Sequence, residues 1–210
     1  LHSFPTRRSS DLLFWMKWIV ITSPDFLSGE ALFIDRLFCH GLDVLHLRKP
    51  GASYEDCRHL LSEVPCRWHN RIVVHEHFSL AAEYSLLGIH LNRRCPDVPE
   101  GFRGHVSCSC HCLDEVVAAK PHCDYVFLSP IFDSISKQGY SASFTDNDLQ
   151  QAHVAGTIDH KVVALGGITS SHIPQIKAWG FGGAAFLGDV WSRMNDAGVD
   201  EYLDTLRLLL

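Results

Sequence analysis

Between Lys17 and Leu187 the sequence breaks into eight short apolar runs, each followed by a longer stretch of helical spacing or of turns. This alternation limits the fold more than any other feature. The runs fall at 17–22, 43–48, 71–75, 88–91, 105–108, 124–128, 161–165 and 183–187. Most are rich in Val, Ile and Leu with no polar side, as parallel strands covered on both faces are. Segments 26–40, 53–66, 78–86, 112–120, 145–155, 170–179 and 197–210 read as helices. In the first of these, Phe26, Leu27, Leu32, Phe33, Ile34, Leu37 and Phe38 form a broad apolar stripe. Ser53 with Asp56 is close to a capping box. Thr145 and Ser170 suit helix starts, and Gly41, Gly156 and Gly180 suit helix ends. Strands alternating with helices predict a compact, single-domain (β/α)8 TIM barrel. An open doubly wound sheet is the other arrangement the pattern allows. The stretch 92–104 carries Arg, Pro and Gly without helical spacing, so the helix after the fourth strand should be short or missing.

The rest of the composition narrows the partners. A chain of 210 residues that is 46% hydrophobic can bury one sizeable core. Its formal charge of -6, with no basic face, argues against nucleic acid. No apolar run approaches the roughly 18 residues that span a bilayer. The eight cysteines are scattered through strand-like and helix-like segments, as reduced thiols of a cytoplasmic protein would be. Residues 1–15 do not fit the pattern: they are irregular, with Arg7-Arg8-Ser9-Ser10, and Met16 then opens directly onto a strand. The expectation is a non-native N-terminal extension over 1–15 and one barrel domain over 16–210. Whether the chain forms a homo-oligomer is left open.

In a barrel of this kind the chemistry sits at the C-terminal ends of the strands. Those ends read Thr22; His46, Arg48 and Lys49; His75 and Glu76; His90 and Asn92; Ser109 and His111; Ser134, Ser136 and Lys137; Gly166 and Gly167; Gly188 and Asp189. The collection is cationic and hydroxylic, which suits an anionic substrate. Gly166-Gly167 lets the backbone approach a phosphate and aim its N–H groups at it. Ser170 then starts a helix whose positive end adds to the field, and Gly188-Asp189 supplies the partner loop. The plainer reading is that these glycines only make turns. His46 and Arg48, two apart on a strand, point the same way. If that way is inward, an arginine fork stands at the mouth; otherwise Arg48 and Lys49 are simply solvated. Cys108, Cys110, His111 and Cys112 lack the paired spacing of ordinary zinc sites. His75 and His77 share a strand face around Glu76, with no further metal partner evident. There is no nucleophile elbow, P-loop or dinucleotide fingerprint.

Taken together, these segments resemble the thiamin phosphate synthase/TenI family of small barrels, from about Met16 to Val190. His46-Leu-Arg-Lys49 resembles that family's Q/H-x-R-x-[KR] strand end, and Gly88-Ile-His-Leu91 its G-[VI]-H-L. Ser109-Cys-His111 with Leu113-Asp-Glu115 resembles S-x-H-x-L-E-E. The stretch from Asp124-Tyr125 to Lys137 resembles D-Y-v-x-x-x-P-[IV]-F-x-T-x-T-K, with Ser134 and Ser136 for the threonines. Ala164-Leu-Gly-Gly-Ile168 resembles A-I-G-G-I. The resemblance implies a transferase of thiamin biosynthesis. It would couple hydroxymethylpyrimidine diphosphate with a thiazole phosphate, using Mg2+. Arg48 and Lys137 would hold the diphosphate, with Ser109 assisting. Ser134, Ser136, Gly166, Gly167 and Gly188, beside Asp189, would cradle the thiazole phosphate. The likeness departs at the metal: His75-Glu76 stands where Asn-Asp is usual, leaving Glu76 as the metal candidate. Asn92-Arg93-Arg94 follows G-x-H-L, where a second Asp is usual, and Asp97 is the nearest one. His46 replaces Gln and is TenI-like, whereas Pro130, at the position of the TenI catalytic histidine, is synthase-like. A TenI-type thiazole tautomerase is therefore the alternative, with His111, His46 or Glu76 as its acid/base and no metal. A non-catalytic sensor of thiazole or thiamin phosphate is the third possibility.

Overall fold

A computed structural model describes residues 16–133 and 144–210. Its eight parallel strands close into a barrel in sequence order. They are β1 (Lys17–Ile21), β2 (Val44–Leu47), β3 (Ile72–Val74), β4 (Gly88–Leu91), β5 (His105–Cys110), β6 (Tyr125–Leu128), β7 (Val162–Leu165) and β8 (Gly183–Phe186). The helices are α1 (Glu30–Cys39), α2 (Tyr54–Glu63), α3 (Ser79–Glu83), α4 (Leu113–Ala119), α5 (Asp146–Val154), α6 (Ile173–Ala178), α7 (Gly188–Trp191) and α8 (Val199–Leu209). Every expected strand forms within a residue or two, and the open sheet is excluded by the β1–β8 pairing, Lys17↔Gly183 to Val20↔Phe186. Beside that seam the Met16 amide donates to the Leu210 carbonyl at 3.3 Å, so the two ends of the barrel touch.

Two cores follow from strand alternation. Outward residues such as Trp18, Val20, Leu45, Val126 and Ala184 meet Ile34, Leu37, Leu61, Ile176 and Leu203 from the helices. Burying a side chain of this size stabilises the fold by about 1.5–3 kcal/mol, so this layer dominates. Inward, Ile19, Ile21, Val44, Val73, Tyr125, Phe127, Val163 and Ala185 fill the lumen.

The helices differ from expectation mainly at their ends. The α1 helix begins at Glu30 rather than residue 26, because Gly29 is left-handed (φ 75°) and the preceding turn is irregular. The Ser53–Asp56 capping box forms as read, and Thr145 starts α5 as expected, closing a second box with Asp148. Ser170 does not start an α-helix. It opens a short 3-10 turn, and α6 follows from Ile173. No helix joins β4 to β5. The link folds instead on an Asn92–Cys95 bridge. No helix among the described residues is long and apolar enough to cross a membrane.

Candidate active site at the barrel mouth

The lumen is polar on one side. From β2 to β6 its inward positions include His46, His90, Ser107 and Tyr125, all fully buried or nearly so. His46 Nδ1 lies 2.9 Å from His75 Nε2, and His46 Nε2 lies 2.6 Å from the Tyr125 hydroxyl. His90 stacks on His75 with ring centroids 4.1 Å apart. Its two nitrogens meet the Ser107 and Ser109 hydroxyls at 2.8 and 2.9 Å. Burial, then the nearby His90, pushes His46 well below the ordinary histidine value. Burial, then the charge of Arg48, pushes His90 down to about 3. His75 is lowered by burial and then by His90, His46, Arg48 and Arg94. These imidazoles are therefore neutral hydrogen-bonding groups. Tyr125, His46 and His75 form one continuous hydrogen-bonded chain through the lumen. Their nitrogens lie close enough to ligate a metal, but partners within the protein already satisfy both nitrogens of His46 and of His90.

His46 was expected at the rim as an anion ligand. The structure places it one layer down, wholly enclosed, and gives its ring to His75 and Tyr125. The alternation argument itself holds, since Arg48 stands above it on the same face. Burial, then the like charge of Arg94, lowers the Arg48 guanidinium from its ordinary value, with Glu76 opposing. The Arg48 side chain is half-buried and makes no hydrogen bond or ion pair with any described residue. Its backbone is fixed from below, with Thr22 Oγ1 receiving the Arg48 amide at 2.9 Å and donating to its carbonyl at 3.0 Å.

Lys49 is not solvated. Its outward direction carries it beneath α1, where the side chain is 0% exposed. Nζ donates to both Glu30 oxygens at 2.6 and 2.7 Å and to the Asp25 carbonyl at 2.8 Å. The Phe26 ring covers it at 4.5 Å.

Beside Arg48, a turn brings a second guanidinium over the third strand. Asn92 Nδ2 donates to the His75 carbonyl at 2.8 Å, and Asn92 Oδ1 accepts from the amides of Arg94 and Cys95 at 2.9 and 3.2 Å. Arg94 is thereby folded back onto Glu76, with Nη2 to Oε1 at 3.1 Å. His77 takes no part. At φ 52° it leaves the strand face it was expected to share with His75, and Nε2 meets the Ala52 carbonyl at 2.9 Å. Asp97 is exposed.

On the far arc, Ser109 is held by His90. His111 is exposed beside the Ser129 carbonyl, 3.0 Å from Nδ1. Gly166 and Gly167 have φ of 99° and 63° and pack on the segment after β6. A Cβ would meet Pro130 Cα at 2.9 Å from Gly166, and Asp133 O at 2.5 Å from Gly167. Close packing alone thus calls for glycine at both positions. Gly188 borders open space. Asp189 is engaged by Tyr202 and, at 3.5 Å, by Arg193, so its carboxylate braces α8 rather than the mouth. Ser134, Ser136 and Lys137 lie outside the described residues. The Cys108–Cys112 stretch does not converge on a metal: Cys110 is buried, Cys112 is exposed, and Cys108 faces Cys123 at 3.7 Å. All eight cysteines are free.

Among the described residues, the mouth does not suit the Mg2+ that the resemblance implies. Mg2+ takes oxygen ligands in near-octahedral array, usually including one or two carboxylates. Here His75 offers nitrogen, Glu76 is already paired, and the cation paired with it is Arg94. Alternation along β2 explains the inward direction of His46, but sequence spacing gave no sign of the turn that seats Arg94. The signal was present in Asn92, whose short amide side chain favours such turns.

Fold and site together define a (β/α)8 barrel with a cationic mouth over a neutral histidine column. A family model described as thiamine monophosphate synthase matches residues 19–190. The chain belongs to that family. It is 27% identical over 172 residues to the thiamine-phosphate synthase of Yersinia pestis, covering 77% of this chain and 79% of that one. A crystal structure of thiamine phosphate pyrophosphorylase from Bacteroides thetaiotaomicron is 44% identical, with a TM-score of 0.84 over 92% of this chain and 97% of that one. The thiamine phosphate pyrophosphorylase of Pyrococcus furiosus, at 20% identity, shares the fold with a TM-score of 0.68 over 92% and 95% of the two chains.

Proposed function

We propose that this chain is a synthase-type transferase of thiamin biosynthesis, acting in the cytoplasm on two phosphorylated substrates. One would be hydroxymethylpyrimidine diphosphate and the other a thiazole phosphate. The observation that carries the reading is Arg48, a half-buried guanidinium unpaired among the described residues on the rim that also bears Gly166-Gly167. Family membership supports this substrate class.

In the reaction the bond between the pyrimidine methylene carbon and the diphosphate oxygen breaks, and its electron pair leaves with diphosphate. The thiazole nitrogen then gives its lone pair to that carbon, forming the new C–N bond. No proton changes hands in this step, so the site must chiefly stabilise leaving-group charge. Arg48 suits that task, and by resemblance Lys137 shares it. Ser134, Ser136 and the Gly166–Gly167 and Gly188 amides would hold the thiazole phosphate. His46, beneath them, would shape the floor. His75 reaches the mouth through the Tyr125–His46–His75 chain, and this favours tautomerisation of a thiazole phosphate as the second reading.

Purified protein given both synthase substrates should release thiamin phosphate, detected as its fluorescent oxidation product. Arg48→Ala should lower the rate by about a hundredfold or more, the scale of a lost charge-stabilising donor. Lys137→Ala should weaken binding of the pyrimidine diphosphate. No thiamin phosphate, with conversion of the thiazole tautomer, would select the second reading. Binding of the thiazole phosphate without turnover would select a sensor.

A further inference from the structure

We infer that Arg94, folded onto Glu76 by the Asn92 turn, joins Arg48 in a diphosphate-binding subsite that needs no divalent cation. The inference deepens the reading above and rests on its anion-binding mouth.

The turn is anchored at both ends. Asn92 pairs with Cys95 through mutual backbone hydrogen bonds of 3.1 Å. Its side chain meanwhile ties the Arg94 amide to the carbonyl of His75, the residue before Glu76. Glu76 is mostly covered, at 16% side-chain exposure, whereas Arg94 is 54% exposed. The carboxylate therefore acts as a fixed seat and the guanidinium as the group presented to solvent. One carboxylate serves two guanidiniums, since Arg48 has no partner of its own among the described residues. Within this cluster two guanidiniums therefore face a single carboxylate. The histidines below are neutral and add no charge.

A guanidinium fork matches the planar spread of phosphate oxygens and loses little order on binding them. Two forks near enough for the charge of Arg94 to act on Arg48 suit a diphosphate better than a single phosphate. A dication would have to displace Arg94 from Glu76 and then sit beside Arg48. Arg94 thus occupies the place that a metal would need.

The test is calorimetric titration of the full chain with inorganic pyrophosphate in excess chelator. Pyrophosphate should bind, at least about tenfold more tightly than inorganic phosphate, and added Mg2+ should not tighten it. Arg94→Ala should weaken it about tenfold to a hundredfold in chelator. Asn92→Ala should weaken it less, by freeing the turn. Arg94→Asp would place two carboxylates together, and this variant should recover pyrophosphate binding only when Mg2+ is added. Arg94 lies on an exposed turn, and an unchanged thermal midpoint would verify folding of its variants. The inference is overturned if the unaltered chain binds pyrophosphate only with Mg2+, binds it under neither condition, or binds it equally well as Arg94→Ala. Turnover is scored separately. A chain that makes thiamin phosphate only with Mg2+ keeps the synthase reading and loses this one. A chain that binds pyrophosphate through Arg94 without metal, yet makes no product, does the reverse.

Discussion

Lys49 and His46 sit three residues apart in one strand segment and meet opposite physics. Lys49 keeps its charge under α1 because Glu30 and the Asp25 carbonyl surround it. Breaking a buried pair by removing one partner leaves the other charge unpaired, at a cost of about 3–5 kcal/mol. Lys49→Met should lose that much in urea denaturation, and Glu30→Leu combined with it should regain a good part. A loss below about 1 kcal/mol would show the pair to be solvated after all. His46, His75 and His90 instead stay neutral. Their values in the folded chain lie below the unfolded value near 6.5. Between those limits the unfolded chain binds more protons. Their stabilisation is therefore complete above about pH 6.5 and is lost as the pH falls, by about 1.4 kcal/mol per pH unit for each histidine. Urea midpoints between pH 7 and pH 5 should fall accordingly, less steeply in His46→Gln. A flat profile would mean that these histidines take up protons alike in the folded and the unfolded chain. Strand alternation made the inward direction of His46 readable. It could not show depth, because the same residue at the last rung of a longer strand would reach solvent.

At the scale of elements, the strands were legible because each is a short apolar run between breakers. The helix ends were less so. Phe26 and Leu27 look like the first turn of α1, yet Gly29 starts the helix later and leaves Phe26 free to cover Lys49. Helix α7, only Gly188–Trp191, is too short to leave a period. Gly166-Gly167 looked like a phosphate cradle, and its packing against Pro130–Asp133 was invisible, since residues distant in sequence supply it. Gly167→Ala should therefore cost about 1–2 kcal/mol from its left-handed backbone alone, and more from the contact with the Asp133 carbonyl. It should also displace the segment after β6 and weaken thiazole phosphate binding. Gly188→Ala, with open space around it, should leave the thermal midpoint within a few degrees. Equal losses in the two variants would deny the packing role.

The whole molecule is governed by closure, which also shaped what could be read. Eight strands predicted a ring, but only the β1–β8 register shows which residues share a rim. The turn between β4 and β5, which replaces a crossover helix, is where the mouth acquires Arg94. An acidic chain overall thus presents a locally cationic opening, a contrast that composition averages away. The seam has a further consequence. With the residue 16 amide on the residue 210 carbonyl, the ring has no privileged first strand, and its order of synthesis is a matter of where the chain is cut. A permuted chain running from 210 into 16 through a short linker should be viable. Its new ends would fall at Gly101, which is exposed and borders open space. It should fold cooperatively and bind pyrophosphate as the original does, and failure to fold would mean that the seam closes only when both strands arrive from separate ends.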